Sequence, residues 1–228
     1  MRLLPALLLL ACTAAWAQNA AVTVDVNTTA QRKPINPLIY GVNYGTATTL
    51  ADLNAPLHRL GGNNTSRYNW RLNADNRGFD WYFESIAESD PTPGGRGDAF
   101  FSLNESVGAE SMLTIPIIGW VAKLGSNRGK LASFSIQKYG AQTGNDWQWF
   151  PDAGNGVRTS GGNVTGNDPN DANVLFTSAD QREWVQNLVN KWGTADNGGV
   201  RYYVLDNEHS LWFSTHRDVA PTGCVSFI

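Results

Sequence analysis

One short stretch constrains this chain more than any other: an apolar run that ends abruptly in polar, ionisable residues. Val200-Arg201-Tyr202-Tyr203-Val204-Leu205, entered through Asn197-Gly198-Gly199, reads as a buried strand, because β-branched and aromatic side chains suit a pleated surface. Asp206, Asn207, Glu208 and His209 follow at once. In parallel α/β sheets and barrels the carboxyl ends of strands are where ligands meet catalytic groups. Glu208 is therefore the leading candidate for a catalytic carboxylate.

Three further stretches read as strands upstream of it. Leu38-Ile39-Tyr40-Gly41-Val42 follows the backbone-restricting Pro34 and Pro37, with Asn43 and Tyr44 at its mouth. Leu57-His58-Arg59-Leu60 runs into Gly61-Gly62-Asn63-Asn64, where the glycine pair suggests a tight turn that lets backbone approach a ligand. The apolar run Ser111 to Trp120 forms a third strand, with Pro116 at an edge or bulge and Trp120 at the carboxyl end. Helices are predicted to begin at Trp81–Ile86, over Asp98–Glu110, and from Ser178, where Ser178 and Gln181 form a capping box and Trp184, Val185, Leu188, Val189 and Trp192 make one stripe before Gly193. Between residues 125 and 177 there is no sustained period, so that segment reads as a long insertion of loops. The alternation of strand and helix predicts an α/β fold, the N-terminal half of a (β/α)8 barrel.

The first residues run Met1-Arg2, then an apolar segment from Leu3, then Ala15-Trp16-Ala17. This is the order of a secretory signal peptide over residues 1–17, too short to span a membrane, so the protein is expected to be secreted. A lipid anchor on Cys12 is the competing reading. Cleavage after Ala17 leaves 211 of 228 residues and a single cysteine, Cys224, so packing rather than a disulfide must stabilise the domain. A complete barrel usually takes about 250 residues. With a net charge of −3, 16% charged residues and no basic cluster, nucleic acid is not an expected partner, nor is a membrane beyond export. Nine Trp among many Asn and Gly suit a sugar cleft, where aromatic faces take pyranose C–H bonds and carboxamides take hydroxyls. An adhesion role would rest on Arg96-Gly97-Asp98 alone, a tripeptide that recurs by chance.

The segment Tyr203–Trp212, continued by Ser214-Thr215-His216-Arg217-Asp218, resembles the acid/base region of glycoside hydrolase family 44, the endoglucanases and xyloglucanases. Stretches at Ile35–Gly45, Arg59–Asn63, Ser66–Trp70, Asp80–Ile86, Gly119–Lys123 and Asn167–Ala172 match in the same order. The resemblance covers residues 34–219 and implies the first four strands of that family's barrel. It also implies that the alternating run Val22–Val26, within 18–33, is the leading strand of a small β-sandwich. Residues 220–228 show no counterpart.

The function so implied is endo-acting, retaining hydrolysis of a β-1,4-glucan, cellulose or xyloglucan. Glu208 would be the acid/base and Asn207 would bond the hydroxyl next to the reacting carbon. Arg59 and Asn63 would stand at the second strand's end and help bind substrate, where an arginine can orient and keep ionised a neighbouring carboxylate, and Trp70, Trp120 and Trp212 would offer substrate platforms. The family's nucleophile, a Glu on the seventh strand, is expected beyond residue 228. The chain then reads as a truncated form, or alternatively as a non-catalytic glucan-binding fragment. Glu84, Glu105, Glu110 and Glu183 fall in predicted helices and read as solvated faces. No cofactor or catalytic metal is required. The resemblance does imply a structural calcium whose ligands are unknown, and Asn167-Asp168-Pro169-Asn170-Asp171 supplies oxygens, although that run also reads as a turn and helix cap.

Overall fold

A computed structural model describes residues 21–222. The expected signal peptide with Cys12, and the end of the chain with Cys224, lie outside the described residues. Residues up to Ile35 and the body from Asn36 onward are separate units. In the first, Val22, Val24 and Val26 are exposed and the described residues form no ladder. The alternation expected of the leading strand is present in the sequence, but a strand also needs a hydrogen-bonded neighbour.

In the body the elements run β1 (Val42–Asn43), α1 (Ala47–Asp52), β2 (Leu57–Leu60), β3 (Tyr68–Asn69), β4 (Ala74–Asn76), β5 (Glu84–Ala87), α2 (Gly95–Val107), β6 (Glu110–Ile115) and β7 (Trp120–Ala122). They continue β8 (Leu131–Ala132), α3 (Ile136–Tyr139), β9 (Asn145–Asp146), β10 (Phe150–Gly154), β11 (Asn173–Leu175), α4 (Ser178–Trp192), β12 (Tyr202–Leu205) and α5 (Trp212–Thr215). Four strands, in the order β1-β2-β6-β12, make one sheet, and every pair in it is parallel. Strand order therefore follows chain order. A second four-stranded sheet, β3-β4-β5-β8, is antiparallel.

The main core lies between the parallel sheet and two helices. Leu113 and Ile115 of β6 meet Phe100 and Phe101 of α2 and Trp184 and Leu188 of α4, with Tyr68 and Val200 completing the cluster. Alternation explains the strand's share, since residues two apart in β6 point to one face. Helix α4 starts one residue earlier than its capping signal suggested. Thr177 is the N-cap and Asp180 the reciprocal partner, because the shorter Asp at the third helical position reaches the cap backbone. Helix α2 starts three residues before Asp98 and ends before Gly108, whose left-handed φ of 72° stops it.

Three predicted elements are corrected. Over Leu38–Val42 the chain makes a 3-10 turn at Pro37–Ile39, capped by the Asn36 side chain, and only Val42–Asn43 joins the sheet. The run Ser111–Trp120 is not one strand. It stops at Ile115 because Pro116 has no N–H to give, and the next two N–H groups donate to the Asp206 carboxylate. Trp120 instead opens β7, a separate strand paired antiparallel with β11. No helix begins at Trp81–Ile86: a 3-10 turn over Gly78–Trp81 ends there, Tyr82 and Phe83 take left-handed φ values of 46° and 52°, and Glu84–Ala87 forms β5. The segment from 125 to 177 is long, but it holds short strands rather than loops alone.

Candidate active site

Glu208 stands at the carboxyl end of β12, exposed, with a left-handed backbone at φ 45°. The residues before it fix that geometry. Asp206, also left-handed at φ 62°, is buried, and its carboxylate accepts from Ile117 N at 2.6 Å, Ile118 N at 3.1 Å and Asn207 N at 2.8 Å. Burial pushes the Asp206 carboxyl above its ordinary range, and these N–H donors act against that rise. One side chain thus ties the end of β12 to the chain leaving β6. A left-handed non-glycine residue is costly, and two of them flanking Asn207 persist because the surrounding bonds over-determine them.

Asn207 is the meeting point of three elements. Its Oδ1 accepts from Arg59 Nη2 at 2.6 Å, and its Nδ2 donates to Asn63 Oδ1 at 3.4 Å and to Glu208 Oε2 at 3.5 Å. Arg59 comes from β2 and Asn63 from the 3-10 turn that follows it. Asn63 Nδ2 in turn donates to both Asp80 oxygens at 3.1 Å. The expected role of Arg59 as the neighbour of a carboxylate is replaced by an amide contact. Gly61 leaves room for this arrangement. A Cβ on Gly61 would lie 2.3 Å from Arg59 Cζ, and Gly62 takes a φ of 106°.

The three expected platforms sit differently. Trp212 is buried, with Nε1 donating to the Asn207 carbonyl at 3.0 Å, so it supports the strand end and offers no face for stacking. Trp70 is half-buried against the main core, with Nε1 bonded to the Asp180 carbonyl at 3.0 Å. Trp120 is half-buried within β7. Two rings that the sequence did not single out are open instead. Trp81 and Trp149 border a cleft of about 570 Å³ that Asp80 also lines. No local pattern marks them, and the family-like run Asp80–Ile86 was the only pointer to Trp81.

Behind the site lies a buried polar cluster. Arg67 makes two 3.0 Å contacts to Asp218, which also accepts from Ser133 Oγ at 2.6 Å; Arg67 further donates to Asn173. Burial raises the Asp218 carboxyl, but the Arg67 charge and the hydrogen bonds from Arg67 and Ser133 together outweigh it and hold the group below the ordinary range. Burial and the same guanidinium push His216 down to about 3. Since Arg67 ends the turn that carries Asn63, this cluster anchors the chain on both sides of the candidate site. Glu84, expected on a solvated helix face, is fully buried in β5 beside Lys130 Nζ at 3.2 Å. Burial pushes its carboxyl up to about 7, with Lys130 opposing.

In Asn167–Asp171 both carboxylates are engaged within the protein. Asp168 caps a turn through Asn170 N at 2.9 Å, and Asp171 is taken by Lys138 Nζ and the Tyr139 hydroxyl, each at 2.5 Å. Among the described residues no group of three or more His, Cys, Asp or Glu is placed to hold a metal.

A parallel sheet in chain order, with a carboxylate and two carboxamides at its strand ends, defines an α/β protein of the kind that carries its chemistry at that rim. The family model for glycoside hydrolase family 44 matches residues 74–226, ending within the segment for which the sequence alone showed no counterpart. The chain belongs to glycoside hydrolase family 44. It is 30% identical over 219 residues to a beta-mannanase/endoglucanase A of Caldicellulosiruptor saccharolyticus, covering 89% of this chain and 14% of that one. The crystal structure of CelM2, a bifunctional glucanase-xylanase protein from a metagenome library, is 70% identical with a TM-score of 0.83, over 84% of this chain and 37% of CelM2. A Paenibacillus polymyxa xyloglucanase of the same family is 30% identical with a TM-score of 0.58, over 84% of this chain and 36% of its own. The chain thus spans little more than a third of these solved structures.

Proposed function

We propose that this chain is the acid/base-bearing part of a secreted, endo-acting, retaining hydrolase of β-1,4-glucan, cellulose or xyloglucan. The observation that carries the reading is the position of Glu208, at the end of a parallel strand beside an Asn207 that Arg59 and Asn63 hold. The names of the similar proteins, glucanase-xylanase and xyloglucanase, support the substrate class. The four parallel strands are then the first half of a (β/α)8 barrel, and Val22–Val26 a strand of a small β-sandwich.

In this mechanism the Glu208 carboxylic acid protonates the glycosidic oxygen as the bond breaks, and the resulting carboxylate then takes a proton from the attacking water. The second carboxylate, about 5 to 5.5 Å across the bond in retaining enzymes, is supplied from beyond residue 228. Asn207 presents its Nδ2 toward Glu208 and binds the hydroxyl adjacent to the reacting carbon. Arg59 occupies Asn207 Oδ1, so the amide cannot flip and its N–H₂ group stays directed at the sugar. Two carboxylates and water suffice, and no cofactor is needed.

The test is reducing-sugar release from carboxymethylcellulose and xyloglucan by a protein carrying the complete catalytic domain, with the anomer of the first product read by NMR. Release of β-anomeric oligosaccharides from within the chain is expected. An α-anomeric product, or none from either polymer, contradicts the reading.

A further inference from the structure

We infer that Asp80 is a positioning residue, which acts through Asn63 to keep a carbonyl oxygen, and not an N–H₂ group, facing the Asn207 amide beside Glu208. The inference rests on the proposed hydrolysis and adds to it a group that works without touching the acid or the sugar. Both Asp80 oxygens accept from Asn63 Nδ2 at 3.1 Å, and Asn63 Oδ1 accepts from Asn207 Nδ2 at 3.4 Å. A carboxylate can only accept, so it selects one of the two ways in which the Asn63 amide can lie.

The direction matters because the acceptor atom of Asn207 is already held. Arg59 Nη2 donates to Asn207 Oδ1 at 2.6 Å, which leaves the N–H₂ group to face Asn63 Oδ1 and Glu208 Oε2, at 3.4 and 3.5 Å. Were the Asn63 amide turned over, two N–H₂ groups would meet with no acceptor between them, and Asn207 would be pushed out of place. Arg59 therefore fixes Asn207 from one side, and Asp80, through Asn63, from the other.

Three carboxylates hold the turn that carries Asn63, and they divide the work. Asn64 Nδ2 donates to the buried Asp75 at 3.2 Å, and Arg67 makes two 3.0 Å contacts to the buried Asp218. These two attachments secure the turn Asn63–Arg67 without Asp80. Asp80 stands on the following 3-10 turn, Gly78–Trp81, and is exposed. Its replacement is therefore expected to leave the fold nearly as stable and to be felt at the Asn63 side chain.

The test is a carboxylate–carboxamide exchange, read by steady-state kinetics on xyloglucan in a protein with the complete catalytic domain. Asp80→Asn is expected to lower kcat roughly three- to tenfold, the scale of one hydrogen bond, with KM within about twofold and Tm within about 2 °C of the unaltered protein. The loss falls on kcat because bonds to the hydroxyl beside the reacting carbon strengthen in the transition state. In the double variant Asn63→Asp/Asp80→Asn the carboxylate stands at position 63, where it accepts both from the amide at position 80 and from Asn207. Most of the lost kcat should then return, a non-additive result that marks one shared contact. Unchanged kcat in Asp80→Asn overturns the inference. So does a rise in KM that the exchange does not repair, the mark of a direct bond from Asp80 to the sugar, or a fall in kcat that only follows a fall in Tm. These three results leave the hydrolase reading intact. If the unaltered protein hydrolyses neither xyloglucan nor carboxymethylcellulose, both fall.

Discussion

Arg59 and Asn207 stand at the carboxyl ends of two strands that are not adjacent, and they meet across β6 through a 2.6 Å hydrogen bond from Nη2 to Oδ1. The bond passes over the strand between them and fixes an amide next to the candidate acid. Because a guanidinium can only donate, it also settles which way the amide faces.

Replacing Arg59 by Ala frees that amide. The expected result is a loss of roughly 10- to 100-fold in kcat/KM on xyloglucan, the equivalent of a charge-assisted hydrogen bond of about 1.5–3 kcal/mol. Steady-state kinetics of a protein with the complete catalytic domain checks it, and wild-type rates would count against the positioning role.

Gly61→Ala should reproduce that loss without touching Arg59. The added methyl would sit within 2.3–2.5 Å of the guanidinium, the far end of a flexible side chain, so the arginine moves aside at little cost in stability. Combined with Arg59→Ala it should add almost nothing, as expected for residues acting through one contact. Strict additivity of the two changes would refute this dependence.

Arg67→Met should be strongly destabilising. It leaves Asp218 as a buried charge without its partner, a change that costs about 3–5 kcal/mol in comparable pairs. Urea titration of the single variant, and of the double variant with Asp218→Leu, checks this: the second change should recover part of the loss.

Stability should respond to pH through two buried groups with opposite signs. Glu84, raised to about 7, favours its neutral form in the fold, so its contribution is full below about 4.3 and is lost as pH rises through about 7. His216, lowered to about 3, contributes fully above about 6.5 and loses that as pH falls toward 3. Glu84→Gln removes the first effect alone. Its Tm relative to wild type should therefore climb by about 5 °C between pH 5 and pH 8. A pH-independent difference in thermal melts would show that Glu84 is not the group responsible.

Strands β6 and β12 were legible because each is an apolar run closed by a polar end. The placement of Asn207 and Glu208 at the end of β12 was legible for the same reason. The antiparallel sheet was not, since strands as short as Tyr68–Asn69 and Leu131–Ala132 are too brief to show a period. Reading Trp81–Ile86 as a helix hid Glu84, because the left-handed turn at Tyr82 and Phe83 has no glycine to announce it. Choosing among the tryptophans failed on a non-local point. Trp70 and Trp212 find backbone carbonyls 110 and 5 residues away and are withdrawn from the surface, whereas Trp149 has its face open. Composition is the same for all of them.

The central claim is that Glu208 is the acid/base, and leaving-group dependence tests it most directly. A Glu208→Ala protein with the complete catalytic domain should lose roughly 10²- to 10⁴-fold on xyloglucan, whose leaving group needs a proton. Formation of the covalent intermediate from an aryl cellobioside with an acidic phenol should be far less affected, and added azide should then yield the β-cellobiosyl azide. Wild-type rates on polymer, or an equal loss on both substrates with no azide product, would contradict the assignment.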